Sequence, residues 1–154
     1  MAEHHPAATP EQAQATATRA AEAMWTNDRA SQAMGMRVEA VGPGVAKLSM
    51  AVRRDMLNGH DICHGGFVFT LADSAFAYAC NSYNLVTVAS GCNIDFLAPA
   101  REGDVLTAHA QERSASGRTG VYDIEVVNQR GEKVALFRGK SYRIKGHVFE
   151  PAAG

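Results

Sequence analysis

The residues from Gly66 to Ser82, GFVFTLADSAFAYACNS, form a nearly unbroken apolar run with Asp73 as its single formal charge. The run is too long for one strand and has the length of a helix. A helix that is hydrophobic almost all the way round must be buried on most of its sides. A strongly curved antiparallel sheet wrapped around it meets that demand, and so does a second copy of the same helix across a dimer interface. The chain that flanks this run has to supply one or both.

The flanks read as strands. Residues 36–41 and 45–52 alternate around Gly42-Pro43-Gly44, which predicts a hairpin. Residues 53–63 make a polar loop containing Asn58-Gly59. After the apolar helix come four strand-like runs, roughly 86–97, 104–113, 120–128 and 133–144, divided by Pro99 with Gly103, by Ser116-Gly117 and by Gly131. That pattern predicts an antiparallel meander. At the front, Thr9-Pro10-Glu11-Gln12 has a helix start: Thr9 at the N-cap, Pro10 at the first helical position and Gln12 three residues on. This Ala-rich helix should break near Asn27-Asp28 and lie over the outside, with Met24 and Trp25 packing inward. The expectation is α+β, a six-stranded antiparallel sheet curved around one long central helix. It forms a single domain over residues 9–154, preceded by a disordered extension over residues 1–8.

Composition narrows the function. The 46% hydrophobic content supports a real core, and a net charge of -1 offers no attraction to nucleic acid or to an anionic membrane. No run approaches the roughly 18 apolar residues of a membrane span, and the first residues lack the pattern of a secretory signal. Cys63, Cys80 and Cys92 form no C-x-x-C pair, so a disulfide framework or zinc knuckle is not expected and a reducing cytoplasm is the simplest location.

Within the apolar helix, Thr70, Asp73, Ser74, Ala77 and Asn81 recur at helical spacing as one narrow polar or small stripe. The plain reading of Asp73 is a solvated carboxylate. The narrowness of the stripe favours instead a carboxylate that is partnered or raised in pKa, a candidate for catalysis. At the helix start stands His64-Gly65-Gly66. Backbone N–H groups there have no partner inside the helix and lie at the positive end of its dipole, and two glycines would let a ligand approach them. This suits an oxyanion or a phosphate, although two glycines can equally serve only to shape a tight turn. Gly65 and Asp73 are separated by about 12 Å along one helix at a rise of about 1.5 Å per residue. One substrate carbonyl cannot touch both from the same chain. Two antiparallel copies of the helix about a two-fold axis would bring them together, so if both groups are catalytic, the site belongs to two chains.

The run NGHDICHGGFVFTLADSAFAYACNS (Asn58 to Ser82) closely resembles the hot-dog-fold thioesterases of phenylacetic acid degradation, the PaaI type. NIDFLAPA, GVYDIEVVN and VALFRGKS later in the chain resemble the same family, so the similarity covers most of the chain after residue 20. The resemblance implies a hot-dog fold, a tetramer of two dimers, and hydrolysis of aromatic acyl-CoA thioesters, notably ring-hydroxylated phenylacetyl-CoA. It implies Asp73 as nucleophile or general base, Gly65 as the backbone donor to the thioester carbonyl, Asn58 as the loop residue that places substrate or water, and His64 as the histidine beside the donor. Gly66 would add to the substrate-binding turn. In some relatives a hydroxyl on the following strand assists; Ser90 is nearby, but Ala89 stands at the matching register. Arg118, Arg138 and Lys140 are candidate counter-charges for the CoA phosphates, or ordinary surface cations. The mechanism needs no metal or other cofactor, CoA being part of the substrate.

Other readings stand beside this one. A non-catalytic acyl-CoA-binding protein would gain nothing from a buried carboxylate, and a hydratase would want a different Asp–His arrangement. A thioesterase for medium- or long-chain acyl-CoA is a further alternative. His60, Asp61, Cys63 and His64 cluster in sequence without metal-ligand spacing, and adjacent Cys63 and His64 seldom make a thiol–imidazole pair.

Overall fold

The computed structural model describes residues 7–153; the disorder expected of residues 1–8 therefore falls mostly outside the described residues. Helix α1 (Pro10–Asn27) opens with the expected capping box: Gln12 N–H donates to Thr9 Oγ1 at 3.2 Å, and Thr9 N–H to Gln12 Oε1 at 2.9 Å. Asp28 ends it and caps the short α2 (Arg29–Ala33) through one carboxylate oxygen, accepting the Ser31 N–H at 3.1 Å. The other oxygen accepts the Tyr78 hydroxyl at 3.0 Å, so one side chain ties the N-terminal layer to the central helix. Helix α1 is largely exposed and buries Ala17, Ala20 and Ala21. Met24 and Trp25 pack against the core as expected.

The strands are β1 (Arg37–Gly42), β2 (Val45–Ala51), β3 (Leu85–Phe96), β4 (Val105–Ser116), β5 (Thr119–Val127) and β6 (Lys133–His147). Between β2 and β3 lies α3 (Gly65–Cys80), the apolar helix. All neighbours pair antiparallel in the order β1-β2-β4-β5-β6-β3. The expected meander is therefore limited to β4, β5 and β6, while β3 lies at the far edge beside β6. The reason is the length of α3. Its 16 residues span about 24 Å, and four strand spacings take about 19 Å, so the helix crosses the inner face and delivers the chain to the opposite edge. Turn signals could mark the strand ends but not which edge the helix reaches.

Alternation fixes the two faces. Leu48, Met50, Leu106, Ala108, Ile124, Val126 and Phe137 point inward and are buried against Val68, Leu71, Ala72, Ala75 and Phe76 of α3. The helix lies very close to the sheet at Gly139, where a Cβ would stand 2.8 Å from the Phe76 ring. Phe76 in turn packs on Tyr122 and Phe137 with ring centroids 5.4 and 6.1 Å apart. No helix among the described residues is long and apolar enough to cross a membrane.

Candidate active site

The loop before α3 is tightly held by its own backbone. Asn58 Oδ1 accepts the N–H groups of His60 at 2.9 Å and Ile62 at 3.4 Å, and the Asn58 N–H donates to Ile62 O at 2.8 Å. Cys63 N–H donates to Ala100 O at 2.7 Å and His64 N–H to Met56 O at 2.8 Å. The helix start is thus clamped to the 3-10 turn Arg54–Met56 on one side and to the segment after β3 on the other. Asn58 shapes this loop with its oxygen, and among the described residues its side-chain N–H groups have no acceptor.

His64 is the N-cap of α3. Its Nδ1 accepts the Gly66 N–H at 2.9 Å, which sets the neutral tautomer with the proton on Nε2. Phe67 N–H turns back to His64 O at 3.0 Å. These bonds engage donors that a helix start normally leaves open. The Gly65 N–H is different: no acceptor meets it among the described residues. The two glycines are also unlike each other. A Cβ at Gly66 would stand 3.1 Å from His64 Nδ1, and one at Gly65 would stand 2.9 Å from Cζ of the Phe96 ring. Neither has the positive φ that would demand glycine for a turn, so close packing explains both. In this chain the space over the glycines expected for a ligand is partly filled by two rings.

The polar stripe is largely consumed by structure. Thr70 Oγ1 donates to Gly66 O at 2.8 Å, and Ser74 Oγ lies 3.0 Å from Ser31 Oγ in a shared hydrogen bond. Asn81 donates to Ala77 O and Thr87 O and accepts the Thr87 N–H, each at 2.9 Å, which joins the helix end to the start of β3. Asp73 stands apart. It is half-buried, no donor bonds its carboxylate among the described residues, and burial raises its pKa above the usual carboxylate range. Its charge adds to burial in raising the thiol of Cys92, an inward-facing residue of β3.

Burial disfavours the thiolate form of all three cysteines. Burial pushes Cys63 up to about 11, and burial with the charge of Asp73 pushes Cys80 up to about 12 despite an opposing backbone hydrogen bond. No cluster of three or more His, Cys, Asp or Glu that could hold a metal occurs among the described residues.

The remaining sequence candidates lie on or near the outer face of the sheet. Ser90 sits at a bulge in β3 and its hydroxyl donates to Lys140 O at 3.2 Å. Arg118, in the β4–β5 turn, donates to Arg143 O at 3.3 Å. Lys140 is exposed on β6 and makes no ion pair among the described residues. Arg138 is already engaged: Nε and a terminal nitrogen bond Asp123 at 2.7 and 2.9 Å, and Arg113 bonds the same carboxylate at 2.9 Å. These three line an outer-face concavity of about 550 Å³ that contains neither Asp73 nor Gly65. Phe96 was not among the sequence candidates. An apolar pair, Phe96-Leu97, at a strand end just before Pro99 was the one signal pointing to it.

Comparison with known proteins sets this geometry in context. The family profile described as the thioesterase superfamily matches residues 60–135. The chain is 56% identical over 128 residues to the acyl-coenzyme A thioesterase PaaI of Escherichia coli (strain K12), covering 83% of this chain and 91% of that one. The solved structure of the E. coli PaaI protein from the phenylacetic acid degradation operon superposes with a TM-score of 0.86 at 54% identity, over 87% of this chain and 97% of that one. A hypothetical thioesterase of Streptococcus pneumoniae TIGR4, solved with coenzyme A, matches with a TM-score of 0.70 at 25% identity, over 73% of this chain and 88% of that one.

Proposed function

The chain belongs to the thioesterase superfamily as a hot-dog-fold acyl-CoA thioesterase of the PaaI type, and from that premise we propose that it hydrolyses aromatic acyl-CoA esters of the phenylacetyl type at a site shared by two copies of the chain. The observation that carries this reading is Asp73, a half-buried carboxylate without a partner among the described residues, on the helix whose first turn holds the unmet Gly65 N–H.

The chemistry follows from those two groups. The Gly65 N–H and the helix dipole receive the oxygen of the thioester carbonyl as it becomes an oxyanion, a donor worth about 3–4 kcal/mol in the transition state. Asp73 either attacks the carbonyl carbon or removes a proton from the water that does. Its raised pKa makes it a stronger base than an exposed aspartate. The C–S bond then breaks and CoA leaves as a thiolate, which needs no strong acid to protonate it. Where Asp73 itself attacks, water then hydrolyses the acyl–aspartyl anhydride and frees the carboxylate; by either route the free acid and CoA remain, and no resident cofactor takes part.

The two groups sit eight positions apart in an unbroken helix, about 12 Å along its axis, so they serve different carbonyls within one chain. Strand β3 supports the two-chain arrangement. It is 12 residues long, pairs among the described residues with β6 alone and leaves its other edge open. Such an edge is a ready template for a second copy, and a two-fold axis there runs the two α3 helices antiparallel. A tetramer would pair two such dimers. His64 holds the donor turn in place, Asn58 offers its free amide to substrate or water, and Gly66 keeps room for the His64 cap. Arg118 and Lys140 are the favoured contacts for the CoA phosphates, since Arg138 is matched by Asp123. Ser90 contributes at most from the strand beside them. Three free cysteines suit a cytoplasmic location.

A thiol-release assay over a panel of aryl and alkyl CoA esters tests the reading. A phenylacetyl or ring-hydroxylated phenylacetyl ester should be turned over with the highest kcat/KM, and preference for a medium- or long-chain ester would move the substrate class to fatty acyl-CoA. Release of thiol by Asp73→Asn at the parent rate would remove Asp73 from the mechanism.

A further inference from the structure

We propose that Phe96 is a specificity-determining residue of the acyl site: its ring walls the Gly65 N–H and gives an aromatic acyl group its contact surface. The inference rests on the acyl-CoA reading above and deepens it.

Phe96 is the last residue of β3 and pairs with Ala135 on β6, which places it on the inner face of the sheet, the face of α3. An inward-facing phenylalanine would ordinarily be buried, yet this one is 55% exposed. The far end of its ring lies against Gly65: a Cβ there would stand 2.9, 3.2 and 3.4 Å from Cζ, Cε1 and Cε2. Gly65 has neither a positive φ nor any other close neighbour that would exclude alanine, so the ring alone accounts for the glycine. The result is an exposed aromatic surface beside Gly65, whose N–H has no acceptor among the described residues.

That juxtaposition has two chemical consequences. A ring over the first turn keeps water from one side of the N–H, and a donor in a drier setting stabilises an oxyanion more strongly. The same ring offers an edge or face to whatever group is attached to the carbonyl carbon. An aryl group one methylene from that carbon can make an offset or edge-to-face contact with it, which an alkyl chain cannot match. The pairing of Phe96 with Gly65 also predicts coupling. A methyl group at position 65 leaves the N–H in place but displaces the ring, so it should affect acyl selectivity in the same way as removing the ring.

The test is a double-mutant cycle read as the ratio of kcat/KM for phenylacetyl-CoA to that for hexanoyl-CoA. Phe96→Ala should lower the ratio by roughly 3- to 10-fold, the factor expected from losing one aromatic contact. Phe96→Leu, which keeps bulk without the π-face, should fall between the two. Gly65→Ala should lower the ratio as well, and adding Phe96→Ala to it should lower the ratio no further. Any general loss from a disturbed helix start cancels in the ratio. An unchanged ratio in Phe96→Ala, or effects that multiply in the double variant, would overturn the proposal. The same ratio measured as Kd for the two esters by calorimetry, in an Asp73→Asn background with and without Phe96→Ala, separates it from the reading it rests on. Failure of the parent protein to release thiol would sink the enzymatic reading, and the Kd ratio would still decide the role of Phe96.

Discussion

Asp73, on the helix inside the sheet, and Asp123, on the sheet's outer face, hold the same carboxylate under opposite conditions. Asp123 accepts from Arg138 through both its oxygens and from Arg113, and those donors hold its pKa at about 2. Asp73 has no donor among the described residues and is raised by burial. The first is a charge that the fold satisfies. The second is a charge that the fold tolerates at a cost to stability, which is the pattern expected where a group is kept for chemistry. The outer-face concavity is the more obvious hollow, yet its two arginines, Arg113 and Arg138, are already matched to Asp123. The proposed reaction therefore lies at the unmatched pair, Asp73 and the Gly65 N–H.

The contrast can be broken most sharply at Asp73. Asp73→Asn should reduce kcat by about 10³-fold or more while phenylacetyl-CoA binding by calorimetry persists, because a neutral amide can neither attack nor take a proton. Asp123→Asn in the same thiol-release assay should leave kcat within about threefold. Next in size is the donor. Gly65→Pro removes the N–H at a first helical position, and His64 before it has the extended backbone that proline requires (φ -59, ψ 132); Gly65→Ala, which brings the same Cβ against the Phe96 ring but keeps the N–H, is its control. Relative to Gly65→Ala, the kcat of Gly65→Pro should fall by about 10²- to 10³-fold, as for loss of one oxyanion donor.

A pH series sharpens the comparison through opposite signs. Folding favours the protonated form of Asp73, so that group makes stability fall as pH rises from the ordinary carboxylate value to its raised folded value. Asp73→Asn should therefore raise Tm at pH 7 and have little effect near pH 3, measured by calorimetric melting. The acid limb of kcat should lie above the usual carboxylate range and vanish in that variant. For Asp123 the folded form favours ionisation. Its contribution is present above the ordinary value of 3.8 and is lost as pH falls toward about 2. Asp123→Asn should lower Tm at pH 7, the smallest effect here. Both arginines are more than half exposed, so about 1 kcal/mol or less is involved, a shift of about 2–4 °C at most.

Much of this was legible in the sequence, for identifiable reasons. Period-two alternation located the first two strands, turn signals bounded the four later strand-like runs, and the unbroken apolar run located α3. Thr9, Pro10 and Gln12 announced the first helix because capping is local. The place of β3 was not legible, since it depends on how far a 16-residue helix carries the chain across the sheet. At the site, Asp73 stood out as the one charge in an apolar run. The division of labour within the stripe did not: Ser74 bonds Ser31 and Asn81 bonds Thr87 only once the fold has formed. Arg138 looked like a free cation because Asp123, fifteen residues earlier, becomes its neighbour only through strand register. Phe96 was hidden for the same reason, its contact with Gly65 being made across the inner face.

The central claim is that one site draws Asp73 from one chain and the Gly65 N–H from another, and subunit complementation tests it most directly. Asp73→Asn and Gly65→Pro proteins, each inactive alone, would be denatured together, refolded as a mixture and assayed for thiol release from phenylacetyl-CoA. Half of the dimers in an equal mixture would be mixed, and each would carry one intact site of two, so recovery of about a quarter of the parent activity is predicted. Mixed dimers, verified by tags on the two chains, that stay as inactive as either variant alone would contradict the two-chain site.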